Sequence, residues 1–380
     1  MTALIDQRIP GTEVAVRKMD RMIVTRIFTS LWCHRLVRFF NVSNPMAKRW
    51  PSDAHAGAAS GLWGSGGKMR FLIFCDSIDG SYLPMTTKFQ VRSLHHLRQT
   101  YHASLQNFIS SSDVFHILDT VPVSKPQAGR PAKLYVLDSS FNPPTRAHLN
   151  IAKSALLQHD NTSSVRLLLL LATQNADKAS KPASFEDRLV MMRIFAEDIQ
   201  SALEQVSVHN DNVQGDQQRA LTVDIGITKL PYFIDKAAAI STSNFYPGSP
   251  EQILLTGYDT LVRIFDCKYY PPEHTLQPLS QFFAQHRLRV TFRPDSEWGG
   301  RKDQELFLQN LAQGARESDG GKREWAQRIE LVEGAKTGEE AVSSTKARNS
   351  AVNNDVNALE KFVTPDICDW VVSQRLYGSS

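Results

Sequence analysis

KLYVLDSSFNPPTRAHLNIAKSALL, residues 133–157, is the stretch that decides the fold. It opens on an apolar run, 134–137, of a length that suits a strand buried on both faces. It closes on a helical pattern, LNIAKSALL. Between the two stand small residues and a pair of prolines, Pro143 and Pro144, which punctuate a strand-to-helix turn. A helix entered in this way begins at the carboxyl end of a strand with its first N–H groups unpaired, and such a start attracts phosphate. Thr145 and His148, three apart, fall on neighbouring positions of the first helical turn and can address one phosphate together.

Working outward, strand patterns recur at 165–172, 221–227, 253–256, 288–292 and 329–332, and helical patterns fill most of the gaps, notably 185–203 and 365–376. Strands alternating with helices imply a doubly wound α/β domain, a parallel sheet covered on both faces. Upstream, residues 87–110 carry Leu94, Leu97, Tyr101, Leu105 and Phe108 at helical spacing, which predicts a helix packed on the body, closed off by the prolines at 122–131. Two polar stretches, 209–218 and 315–322, read as surface insertions.

A second phosphate-type helix start follows IELVE. In VSSTKARNSA, beginning at Val342, Ser343 and Ser344 are good N-cap types, and Lys346 and Arg348 bring positive charge beside further free N–H groups. Singly, these residues have ordinary explanations. A serine pair before a helix caps it, Asp259 can cap the helix that holds Leu261 and Phe265, and Lys178 and Lys181 can be solvated loop charges. Their joint occurrence in order, each at a strand edge that one sheet would align, is far more specific.

SSFNPPTRAH resembles the nucleotidylyltransferase signature G-[ST]-F-[ND]-P-x-[HT]-x-G-H, departing from it at Ser139 and Ala147, where glycines are usual. VSSTKAR is similar to the I-S-S-T-x-x-R signature of the same superfamily. Between them, ATQNADKASKPASFEDRLVMMRIF resembles the segment in which basic residues, here Lys178, Lys181 and Arg188, follow a strand. LLTGYDTLVRIFDCKYY resembles its G-x-D motif, and FVTPDICDWVVSQRLY its closing helix. Among relatives the likeness is nearest to the eukaryotic nicotinamide-nucleotide adenylyltransferases in a divergent, fungal-like form, and it spans roughly residues 133–377.

The resemblance implies a Rossmann-like nucleotidylyltransferase domain over 131–380 that transfers the adenylyl group of ATP to nicotinamide mononucleotide, yielding NAD and pyrophosphate. It implies catalytic roles for Thr145, His148, Lys178 and Arg348. Ser140, Phe141, Asn142, Gly257, Asp259, Ser343, Ser344 and Lys181 would hold the nucleotide, and Mg²⁺ would bridge its phosphates without a dedicated protein cage. Another phosphorylated acceptor such as phosphopantetheine, or a regulatory protein that binds nucleotide with weak catalysis, are the alternatives. Stacking on nicotinamide calls for aromatics, and the relevant stretches offer Tyr232, Phe233, Tyr269 and Tyr270 but no tryptophan.

Composition sets the frame. Of 380 residues 42% are hydrophobic and 22% charged, as in globular proteins. The net charge of +4 is uneven: residues 1–68 carry +6 and the rest −2, so the body offers no broad basic face for nucleic acid. The basic start combines an amphipathic pattern at 16–40 with an Ala/Gly/Ser-rich stretch at 54–67. It reads as a poorly ordered extension with one amphipathic helix; a mitochondrial presequence is the less favoured reading, because three acidic residues interrupt it before position 21. A helical lead-in, 69–130, then precedes the catalytic domain. Four scattered cysteines fit a reducing compartment, cytoplasm or nucleus, and show neither zinc-site spacing nor a disulfide framework. No apolar run reaches the roughly 18 residues of a membrane span. Homo-oligomerisation is compatible with all of this.

Overall fold

The computed structural model describes residues 60–63, 69–72, 85–122, 130–158, 164–174, 183–208, 221–293, 298–334 and 342–378. The chain divides into two units, residues 1–96 and 97–380. In the first, β1 (Ser60–Trp63) and β2 (Met69–Leu72) form an antiparallel pair. Helix α1 (Met85–Ser110) runs from there across the division.

The second unit is built on a seven-stranded sheet. In chain order its elements are β3 (Phe115–Val121), β4 (Lys133–Asp138), α2 (Arg146–Leu157), β5 (Val165–Ala172), α3 (Phe185–Val208), β6 (Thr222–Thr228), α4 (Phe233–Thr242), β7 (Glu251–Gly257), α5 (Tyr258–Ile264), α6 (Leu279–Gln285), β8 (Arg287–Thr291), α7 (Arg301–Ala312), β9 (Ile329–Val332), α8 (Ser344–Val352), α9 (Val356–Phe362) and α10 (Pro365–Ser373). The spatial order is β3-β6-β5-β4-β7-β8-β9. All neighbours are parallel except β3, which lies antiparallel to β6. From β4 the chain winds outward through β5 and β6, then returns to β7 on the other side. The β4/β7 boundary is therefore the topological switch, where the connections leave in opposite directions and open a crevice at the carboxyl ends.

Both faces of the sheet are covered, which is why its central strands read as continuous apolar runs. Alternate residues of β4, β5, β7 and β8, namely Leu134, Val136, Leu168, Leu170, Leu254, Leu288 and Val290, join a cluster with Ala237 and Ile240 of α4, Leu261 of α5 and Phe282 of α6. Their intervening neighbours, such as Leu137, Leu167 and Leu169, are buried too and by the strand period point the other way, where α2 and α3 pack on each other. Each such leucine stabilises the fold by about 1.5–3 kcal/mol.

The strand and helix positions follow the sequence reading closely, with two differences. Residues 69–130, expected as a helical lead-in, also supply β1's partner and the edge strand β3. The pattern FHILDTV carries polar residues because an edge strand buries little: only Phe115 and Val121 are fully covered. The stretch 315–322, expected as a surface insertion, is an ordered turn. Its 3₁₀ segment Glu317–Asp319 is closed by Gly320 at φ 87°, a left-handed conformation that favours glycine, and Asp319 O accepts from Leu276 N at 2.7 Å. The other expected insertion, 209–218, lies outside the described residues, as does the amphipathic pattern at 16–40. Among the described residues no helix is long and apolar enough to cross a membrane.

Candidate nucleotide site at the carboxyl edge

The segment SSFNPP leaves β4 at the switch point and is fastened at three carbonyl groups by side chains of two helices, α3 and α8. Ser140 O accepts from Arg188 Nε at 2.7 Å, Asn142 O from Arg348 Nη1 at 2.8 Å and Pro143 O from Ser344 Oγ at 2.9 Å. The two serine-rich motifs, some 200 residues apart in sequence, are thus hydrogen-bonded to each other. Phe141 holds φ 45°, a left-handed conformation that costs a non-glycine residue about 1–3 kcal/mol. Its fully buried ring, against Phe195 at 6.2 Å and His148 at 5.7 Å, anchors that backbone. The buried Asn142 accepts through Oδ1 from Ala183 N at 3.1 Å and Tyr377 Oη at 2.9 Å. Arg188 is itself buried, its guanidinium 4.8 Å from the Phe185 ring centre, and burial pushes its pKa down to about 10.

Helix α2 starts here. Thr145, its N-cap, is buried at 1% exposure, so its side chain acts inside the turn rather than on the surface. Its backbone N–H donates to His148 Nδ1 at 3.0 Å, and its Oγ1 lies 2.8 Å from the same nitrogen. A backbone N–H can only donate, so Nδ1 carries a lone pair and the ring proton sits on Nε2. Nε2 lies 2.9 Å from Ser139 Oγ. Burial, with a smaller contribution from the Arg293 charge, lowers the His148 pKa to about 4, so the ring is neutral at physiological pH.

On the other side of the switch, β7 ends at Gly257, the N-cap of α5. A Cβ at Gly257 would sit 2.6 Å from Asp259 Oδ1, and Asp259 is held in place by Arg293 Nη1 at 2.8 Å. Arg293 follows β8 and brings a cation to the edge where His148 lies. Asp138, the last residue of β4, pairs with the buried Lys236 of α4 at 2.5 Å. Ser343 caps α8 by accepting from Lys346 N at 3.2 Å, and Arg348 Nη2 donates to Thr345 Oγ1 at 3.0 Å. Three helix starts, of α2, α5 and α8, thus face one edge, and their summed partial positive charge suits an anion.

Of the residues singled out in the sequence, Thr145, His148, Gly257, Asp259, Ser343, Ser344, Arg348 and the exposed Ser140 come together at this edge. Phe141 and Asn142 do so only through their backbones; their side chains are consumed in packing and in holding Ala183 and Tyr377. Asp259 is not the cap of α5 but stands in its first turn, paired with a cation. Lys178 and Lys181 lie outside the described residues. Among the aromatic candidates, Phe233 stacks edge-on with Phe282 at 4.7 Å and the buried Tyr270 donates to Ile264 O at 2.5 Å, leaving Tyr232 and Tyr269 partly open. Arg293, Lys236, Tyr377 and the bonding role of Arg188 escaped the sequence reading. Arg293 had a usable signal, a charge directly after an apolar strand; Tyr377 had none.

Residues 136–243, β4 to α4, match the family model described as cytidylyltransferase-like. A Schizosaccharomyces pombe protein, "Putative nicotinamide mononucleotide adenylyltransferase", is 32% identical over 264 residues, 69% of this chain and 91% of its own length. Two solved structures are also similar. A Plasmodium falciparum nicotinic acid mononucleotide adenylyltransferase complexed with NaAD aligns at 13% identity over 64% of this chain and 97% of that one, with a TM-score of 0.40. The same enzyme complexed with APC aligns at 12% identity over 65% and 97%, with a TM-score of 0.38.

Proposed function

Because the chain belongs to the nicotinamide/nicotinate-nucleotide adenylyltransferase-like family of nucleotidyltransferases, we propose that it transfers the adenylyl group of ATP to nicotinamide mononucleotide. A phosphate oxygen of the acceptor attacks the α-phosphorus of ATP, the bond from that phosphorus to the bridging oxygen breaks, and pyrophosphate leaves while NAD forms. The observation that carries this reading is the bonding of Ser344 and Arg348 to the carbonyls of Pro143 and Asn142, which sets two helix starts and a neutral histidine around one volume.

Such a transfer needs no covalent enzyme intermediate; positioning and charge neutralisation carry the rate. The starts of α2 and α8 face the nucleotide phosphates, with Arg348 beside the leaving pyrophosphate. Thr145 keeps His148 in one tautomer, and Arg293 adds positive charge at the same edge. Magnesium enters with the substrate as Mg–ATP, its shell filled by phosphate oxygens and water. The carboxylates at this edge, Asp138 and Asp259, are engaged by Lys236 and Arg293, in keeping with that role. Tyr232, at the start of α4, and Tyr269 are the rings open to stack on the acceptor base.

The test is pyrophosphate release from Mg–ATP with nicotinamide mononucleotide, nicotinate mononucleotide and phosphopantetheine in parallel. Turnover with the first is expected. Turnover confined to either of the others overturns the choice of acceptor, and none with any acceptor overturns the enzymatic reading in favour of a nucleotide-binding regulator.

A further inference from the structure

Tyr377, in the turn after α10, gave no signal in the sequence, and its hydroxyl ends on the side chain of Asn142. We infer that Tyr377 is a positioning residue for Arg348: through Asn142 it fixes the carbonyl that aims the arginine at the leaving pyrophosphate. The inference rests on the adenylyl-transfer reading above and deepens it by one residue on the leaving-group side.

The hydrogen bonds admit one set of directions. Ala183 N–H, which can only donate, lies 3.1 Å from Asn142 Oδ1 and so marks that atom as the acceptor. Tyr377 Oη, 2.9 Å from the same oxygen, then supplies its own proton. Burial raises the phenol pKa well above its ordinary value, against the smaller opposing effects of the Arg348 and Arg188 charges, so the donor persists throughout the neutral range. Asn142 Oδ1 thus takes two donors, one from the segment that enters α3 and one from the turn that leaves α10.

The backbone carbonyl of the same asparagine accepts from Arg348 Nη1 at 2.8 Å, while Arg348 Nη2 donates to Thr345 Oγ1 at 3.0 Å. With both of its oxygens engaged, Asn142 links the tyrosine hydroxyl to the orientation of the guanidinium. Tyr377 holds φ 70° and Arg375 φ 50°, left-handed conformations that non-glycine residues keep only where surrounding contacts over-determine them. The bond to Asn142 is one such contact. Tyr377 touches no reacting atom. Loss of its hydroxyl leaves Asn142 Oδ1 with the Ala183 donor alone and loosens the carbonyl, and a misplacement of about 1 Å in the charged group beside the pyrophosphate is enough to lower the rate.

The experiment compares the wild type, Tyr377→Phe, Arg348→Ala and the double variant in the full chain, by steady-state pyrophosphate release from Mg–ATP and nicotinamide mononucleotide. Tyr377→Phe keeps the ring and removes only the donor. Its kcat/KM for ATP is expected to fall about 3- to 10-fold, with KM for nicotinamide mononucleotide within about twofold. In the Arg348→Ala background the same substitution is expected to add less than about twofold, since the carbonyl has no arginine left to aim. An unchanged kcat/KM for ATP in Tyr377→Phe, a loss that multiplies with that of Arg348→Ala, or an equal rise in the KM of both substrates overturns the inference. A tyrosine that only stabilises the fold would give one of these three results. Should the wild type prove inactive with every acceptor, the adenylyl-transfer reading fails on its own. Tyr377 is then judged by equilibrium binding of Mg–ATP: a loss of affinity of about 3- to 10-fold that disappears in the Arg348→Ala background is expected, and an unchanged affinity or a multiplied loss overturns the inference.

Discussion

The two ends of the same sheet are lined by similar residues and differ in what the backbone adds. At the amino end, strands β4, β7, β8 and β9 border a cavity of about 670 Å³ lined by Arg287, Arg289, Arg328, Glu251 and Glu330. There Arg287 and Arg328 share Glu251, at 2.8 and 3.5 Å, and Arg289 binds Glu330 at 2.5 Å. Arg289 also donates to Ser154 Oγ and Gln158 Oε1, closing the last turn of α2 with a cation where the helix dipole is negative. At the carboxyl end the side-chain charges are paired as well, in Asp259–Arg293 and Asp138–Lys236, but three helices begin there rather than end. The positive ends of three helix dipoles make that end the one that suits a phosphate. Cavity volume by itself points to the amino end; helix polarity points to the carboxyl end.

The comparison is broken most directly at His148. His148→Ala is expected to lower kcat by about 10²–10³-fold with a much smaller change in ATP affinity, measured by steady-state kinetics and equilibrium binding. Equal losses in both would turn the carboxyl end into a binding site alone. Next comes Arg348→Ala, which removes the cation proposed to lie beside the pyrophosphate and the bond to Asn142 O; kcat/KM for ATP is expected to fall about 10- to 100-fold, with Arg348→Lys only partly restoring it because lysine offers one nitrogen in place of the two that bond Asn142 O and Thr345 Oγ1.

At the opposite end the effect should move from rate to stability. Arg289→Ala leaves Ser154 and Gln158 without their donor and is expected to cost about 1–3 kcal/mol in denaturant unfolding while kcat stays within about twofold. A large loss of activity at unchanged stability would assign chemistry to the amino end.

The smallest effect expected is on pH dependence. Since the folded pKa of His148 is lowered to about 4, kcat should show no acid limb near 6.5, the ordinary histidine value; an inflection there in a pH–rate profile would contradict a neutral buried ring. The linked stability term has a definite sign. Below 6.5 the unfolded chain takes up a proton that the folded ring refuses, so this contribution is present above 6.5 and is lost as pH falls toward 4. Asp198 opposes it, because burial raises its folded pKa to about 6 and favours the protonated, folded form.

How much could be read in advance differs between these regions. The strand β5 was legible to the residue, because a long apolar run such as its 167–172 is what a doubly covered parallel strand requires. β3 was not, since an edge strand with two buried side chains leaves almost no pattern. In the site, Thr145 and His148 announced themselves by spacing, whereas Tyr377 reaches Asn142 only because the chain end returns to the switch point 235 residues later. Asn142 and Phe141 looked like ligand contacts in sequence; packing took their side chains and left their backbones.

By itself, then, the sequence determined the local structures: which runs are strands, where helices start, and that two of those starts have the residue types that suit a phosphate. These depend on period and on residue type within a few positions. Tertiary structure alone decided that Arg348 and Ser344 bind the carbonyls of the first motif, that Arg293 restrains Asp259, and that the proton of His148 points at Ser139. Each of these is a contact between groups brought together by strand order, and hydrogen-bond direction depends on which donor arrives at which nitrogen.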